Sequence, residues 1–138
     1  MKWSAMLAVA LAVTFGSVVA QERGDVTHTK DSIPQVRENL EEGKALLLDV
    51  REKEEWDAGH LAVAKLVPLS MLRDLPEGTE GVEGLPKDKI LYLHCRSGRR
   101  VLTAAPVLQA LGYDVRPLPW GYDALVDEGF ESDPGNPK

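Results

Sequence analysis

Residues 91–100 read LYLHCRSGRR and hold the chain's single cysteine, Cys95, followed by Arg96, Arg99 and Arg100. A lone cysteine cannot close an intramolecular disulfide, which leaves an inert buried thiol, an intermolecular bridge or a reactive thiolate. The neighbours support the third. Three guanidinium groups favour negative charge at this point, and the thiolate rather than the thiol is the nucleophile. Gly98 admits positive φ and so permits a tight loop. Two chemistries place a cysteine in such a setting. Cysteine phosphatases carry arginine six residues after the nucleophile; here that position is Val101, and Arg100 comes one residue too early. In sulfane sulfur transfer, a thiolate takes sulfur from a donor and carries it as a persulfide, whose terminal anion is stabilised by donated N–H bonds. A loop closed by Arg100 is tighter and suits an electrophile smaller than a tetrahedral phosphate ester. The spacing therefore favours sulfur.

The other reactive residue types add little. His94 precedes Cys95, but side chains alternate along a strand, so the two face opposite ways and make no Cys–His pair. His60 reads as a structural hydrogen-bonding residue. Three dispersed histidines and one cysteine make no metal site, and the chemistry requires no cofactor. Trp56, Trp120 and Tyr122 read as core or rim residues.

Something must hold Cys95 in place, and the flanking patterns supply it. KILYLHC is apolar and β-prone, while RRVLTAAPVLQALG spaces Val101, Leu102, Ala105, Leu108 and Leu111 for a core-facing helix that ends at Gly112. Cys95 thus lies between a strand's carboxyl end and a helix N-terminus, where open α/β sheets bind ligands and unpaired amides favour anions. Pro106 inside that helix removes one hydrogen bond and predicts a kink. Upstream, IPQVRENLEEG predicts a helix and KALLLDV a strand buried on both faces. REKEEWDAGH predicts a short helix, AKLVPL a strand, and SMLRDL a helical turn with Ser70 as N-cap. PEGTEGVEGLPKD is a surface loop; YDVRPL and WGYDALVDEG predict a last strand and helix. Strands alternate with helices, so the fold class is α/β with a mainly parallel sheet.

The N-terminus carries a further pattern. Lys2 is followed by the apolar run AMLAVALAVTFG, and SVVA places Val18 and Ala20 before a polar segment. This reads as a signal peptide cleaved after Ala20, with a periplasmic or secreted product and no stable membrane anchor. The expected organisation is a signal peptide at 1–20, a flexible arm at 21–31, one domain at 32–130 and a polar tail at 131–138. Cleavage removes one basic residue and no acidic one, moving the formal charge from −6 to −7. Such a balance argues against nucleic acid as a partner. The arginines near Cys95 form a local positive site in an acidic protein.

Two separated motifs resemble the rhodanese family of sulfurtransferases. CRSGRR is similar to its active-site loop, Cys-Arg-x-Gly-x-Arg/Thr, at Cys95, Arg96, Gly98 and Arg100. LLDVREKEEWDAGHLAVAKLVPL resembles its upstream signature at Asp49, Val50, Arg51, Glu55, Gly59, His60, Leu61, Ala64 and Pro68. The likeness runs from about residue 32 to 128 and points to the small periplasmic single-domain members. Val63 departs from a common glycine, LPWGYDAL keeps only Gly121 of a usual Gly-Gly pair, and Ser97 stands where two-domain thiosulfate enzymes often carry lysine. The resemblance implies a rhodanese-like open parallel sheet flanked by helices. It implies transfer of sulfane sulfur from thiosulfate or a similar small anionic donor, through a persulfide on Cys95, to a thiol, cyanide or protein acceptor. It assigns Arg96, Ser97, Gly98, Arg99 and Arg100 to the substrate, and Asp49 and Arg51 to bracing the loop; a surface ion pair is the plain alternative for the last two. Other functional readings are a sulfur carrier or binding module without turnover and, behind it, a cysteine phosphatase or arsenate reductase.

Overall fold

The structure is a computed structural model and describes residues 26–136. The expected signal peptide lies outside the described residues. Four short segments form one parallel sheet: β1 (Ala45–Asp49), β3 (Ala64–Leu66), β4 (Ile90–His94) and β5 (Asp114–Pro117), in the order β3-β1-β4-β5. The two most apolar segments, β1 and β4, take the centre, where both faces are covered. Register pairs Leu47 with Tyr92 and Asp49 with His94, so β1 and β4 end at the same level.

Alternation along the strands then sorts side chains between two cores. Leu91, Leu93 and Cys95 pack with Leu48 and Val50 on one face, against Leu69 and Leu72 of α3 (Leu69–Arg73) and Val101, Ala104, Ala105 and Leu108 of α4 (Arg100–Ala110). Leu47 and Tyr92 point the other way, into a cluster with Val36 of α1 (Ile33–Glu41) and Leu125 of α5 (Tyr122–Asp127). Each fully buried leucine contributes about 1.5–3 kcal/mol.

The helix ends follow local chemistry. Ser32 and Gln35 form a reciprocal capping box on α1. At the end of α4, Gly112 (φ +93°) donates to the Gln109 carbonyl and Tyr113 to that of Leu108, a Schellman arrangement that needs positive φ. The α4 helix continues through Pro106.

Three expectations change. Ser70 is not an N-cap: Pro68 occupies that place, and the Ser70 hydroxyl, one residue inside α3, donates to Glu52 at 2.6 Å. Residues 131–136, read from sequence only as a polar tail, are paired with the domain. β6 (Ser132–Asp133) pairs antiparallel with β2 (His60–Leu61), and the Asn136 amide donates to the Asp57 carbonyl beside α2 (Lys53–Asp57). Two-residue strands are too short to leave a periodic signal in sequence. Residues 26–31, expected as part of a flexible arm, lack regular structure yet are tied down: the Thr29 amide donates to the Pro117 carbonyl at 2.7 Å, and Asp31 accepts from Tyr92 and Arg116. Polar composition hid these contacts because their partners lie far along the chain.

Candidate active site

Cys95 follows the last residue of β4, and α4 begins five residues later, at Arg100. The side chain is fully buried, with its sulfur accepting the Gly98 N–H at 3.2 Å. Gly98 has φ +84°, and a Cβ there would sit 2.8 Å from the Pro119 carbonyl oxygen, so both backbone and space require glycine. The loop's other flank is equally close. A Cβ on Gly121 would overlap the Arg96 carbonyl, and the Tyr122 amide donates to the Cys95 carbonyl at 2.9 Å. The single glycine of LPWGYDAL is the one this approach needs. The loop amides of Arg96, Ser97 and Arg99 have no acceptor among the described residues. The α4 N-terminus adds its partial positive charge.

The three arginines differ in their surroundings. Arg96 and Arg99 are exposed, as is Ser97. Arg100, at the first position of α4, is held by a bidentate pair with Glu55 of α2, at 2.6 and 2.8 Å. That hydrogen-bonded guanidinium holds the Glu55 carboxyl at about 2, against an ordinary 4.5. The same partner raises Arg100. Arg100 therefore tethers the start of α4 to α2 and is largely neutralised, while Arg96 and Arg99 make no ion pair among the described residues.

Asp49 and Arg51 form no surface pair. Asp49 is fully buried and Arg51 is 5 % exposed. Arg51 binds the carboxylate through Nε (3.0 Å to each oxygen) and Nη2 (2.8 Å), donates from Nη2 to the Gly59 carbonyl at 2.8 Å, and stacks 4.4 Å above the Tyr122 ring. This one side chain joins the end of β1, the turn after α2 and the start of α5, whose Tyr122 amide holds the Cys95 carbonyl.

His94 lies on the opposite face of the sheet from Cys95 and makes no catalytic pair with it. Its Nε2 has no hydrogen-bond partner and stands 3.6 Å from an Asp49 oxygen, beyond hydrogen-bond range. Burial lowers its affinity for a proton more than Asp49 raises it, so the ring stays neutral. His60 stacks on Trp56 with 3.5 Å between ring centroids, and its Nδ1 pairs with the Trp56 carbonyl. Among the described residues no group of three His, Cys, Asp or Glu is placed to hold a metal. A cleft of about 260 Å³ opens beside the loop, lined by Arg96, Arg51, Tyr122, Gly59, Glu55 and Asp123. Sequence reasoning missed His28, whose Nε2 lies 2.6 Å from the Gly98 carbonyl, and the part of Glu55 as partner to Arg100. No local pattern marks a partner 70 residues away.

A buried cysteine between a parallel strand and a helix, cupped by a glycine-bearing loop, matches the rhodanese-like domain over residues 32–128, and the chain belongs to that family. Among its relatives is thiosulfate sulfurtransferase 18 of Arabidopsis thaliana, 37% identical over 108 residues, covering 71% of this chain and 78% of that protein. A probable adenylyltransferase/sulfurtransferase of Mycobacterium tuberculosis is 32% identical over 101 residues, covering 72% of this chain. The match spans only 25% of that longer protein. The human single-domain sulfurtransferase superposes with a TM-score of 0.60 at 28% identity, covering 71% of this chain and 95% of that one. Sulfur transfer is the chemistry these relatives share.

Proposed function

We propose that the protein moves sulfane sulfur from thiosulfate, or a donor like it, through a persulfide on Cys95 to a thiol, cyanide or protein acceptor. The observation that carries this reading is the Gly98 amide directed at the Cys95 sulfur within a loop of open amides. The Cys95 thiolate attacks the outer sulfur of thiosulfate. The S–S bond of the donor breaks, and sulfite leaves with its electron pair. The terminal persulfide sulfur then carries the negative charge, which loop amides and the α4 N-terminus stabilise. An acceptor such as cyanide takes that sulfur and leaves as thiocyanate, regenerating the thiolate. Arg96 and Arg99 draw in the donor; Asp49 and Arg51 brace the loop from beneath.

The test is intact mass with and without thiosulfate. One added sulfur on the wild type, removed by cyanide, is the expected result. Cys95→Ser should show neither loading nor turnover, and retained transfer in that variant would assign the chemistry elsewhere. One observation favours a second reading. The thiol is fully buried, which suits a carrier that loads once and waits for a specific partner. Stoichiometric loading without multiple turnover on cyanide or small thiols would select the carrier.

We further propose export with cleavage after Ala20, on the strength of the apolar run and the SVVA site. N-terminal sequencing of protein from the cell envelope should begin at Gln21; recovery of Met1 there would reject it.

A further inference from the structure

Gly98 holds the loop at two points. Its N–H donates to the Cys95 sulfur at 3.2 Å, and its carbonyl lies 2.6 Å from Nε2 of His28. The carbonyl can only accept, so Nε2 is the protonated nitrogen. His28 lies outside the matched family span and belongs to the segment read from sequence as a flexible arm. The arm delivers it firmly. Val26 packs on the core cluster that contains Cys95. The Thr29 amide bonds the Pro117 carbonyl at 2.7 Å, and the Asp31 carboxylate accepts from the Tyr92 hydroxyl at 2.6 Å and from Arg116 at 2.8 Å. His28 sits between these anchors, half-buried.

The consequence follows from backbone geometry. Glycine has the widest conformational range of any residue, so a loop that depends on Gly98 at φ +84° needs outside restraint. The Pro119 side limits one flank. His28 supplies a restraint on the carbonyl, and because the peptide is planar, holding that oxygen also fixes the direction of the Arg99 N–H. One imidazole thereby sets the Gly98–Arg99 peptide, and it restrains the Gly98 N–H, which belongs to the preceding peptide, through the φ and ψ of Gly98. We infer that His28 is a positioning residue for sulfur transfer, its Nε2–H on the Gly98 carbonyl keeping the loop amides aligned on the Cys95 sulfur. This rests on the reading of Cys95 as the sulfur-carrying nucleophile.

The experiment compares His28→Ala and His28→Gln with wild type in the full chain. A glutamine amide can occupy the place of Nε2 and donate the same bond. Three readouts are taken: kcat and KM for thiosulfate-to-cyanide transfer, hydrogen exchange of the 95–101 segment, and the alkylation rate of Cys95, the only thiol in the chain. His28→Ala should lower kcat by roughly two- to tenfold, the effect of losing one hydrogen bond, with KM little changed. Loop exchange and Cys95 alkylation should quicken, and His28→Gln should restore all of these. Unchanged exchange and turnover in His28→Ala would overturn the inference. So would equal impairment of the two variants, which would make the ring's bulk rather than its donated bond the cause. If wild type takes up no sulfur from thiosulfate, the reading of Cys95 fails, and His28 loses its catalytic purpose even where exchange shows that it holds the loop.

Discussion

At the residue scale, what matters is which arginine does what. Three arginines follow Cys95, yet their surroundings separate them. Arg99 is exposed and makes no ion pair among the described residues, whereas Arg100 is taken up by Glu55. An exposed guanidinium near the loop mouth attracts a dianion equally in the ground and transition states. Loss of such uniform binding appears in KM. We expect Arg99→Ala to raise the apparent KM for thiosulfate by about three- to tenfold with kcat nearly unchanged, the range for one partly screened charge contact. Steady-state kinetics of that variant decides the matter, and an unchanged KM would remove Arg99 from donor capture. Glu55 was legible in the sequence only as a matching signature position. Its pairing with Arg100 was not, because the two are 45 residues apart and meet only after α2 docks beside α4.

At the scale of elements, the Glu55–Arg100 pair fastens α2 to the first turn of α4, the turn on which the Cys95 loop ends. Arg100→Ala and Glu55→Gln should therefore both lower turnover, through the same loosening. The double variant should be no worse than the more impaired single one, since both remove one contact. Additive losses would mean that Arg100 acts on the sulfur directly. Acid supplies an independent check. The Glu55 carboxyl titrates at about 2 in the folded protein against 4.5 ordinarily, so the pair's contribution is intact above about pH 4.5 and is lost as pH falls towards 2. Urea unfolding between pH 5 and 3 should show a shallower acid loss in Glu55→Gln than in wild type; equal slopes would deny the pair a part in stability.

At the scale of the whole molecule, an acidic body surrounds a positive mouth. Under the proposed function, the formal charge of −6, or −7 with the proposed cleavage, would repel thiosulfate at long range, while Arg96 and Arg99 would attract it close in. Physiological salt screens charges beyond about 8 Å, so the local attraction dominates capture and weakens as salt is added. Raising ionic strength should raise the wild-type KM, and the dependence should flatten in Arg99→Ala. A KM that fell with salt in wild type would mean that long-range repulsion by the acidic body governs access instead.

Sequence by itself determined the α/β alternation, the strand-loop-helix seat of Cys95 and the requirement for Gly98, because apolar periodicity and glycine's backbone freedom are local properties. Leu47, Leu91 and Leu93 declare buried strands wherever they pack. Tertiary structure alone decided the rest. It buried the Asp49–Arg51 pair at the end of β1, paired Arg100 with Glu55, paired the tail with β2 and brought His28 onto the Gly98 carbonyl. Each of these joins charged or polar groups, whose exposure or pairing depends on which distant segment arrives opposite them. A strand's register and a helix's docking angle settle that, and neither is written in the residues that meet.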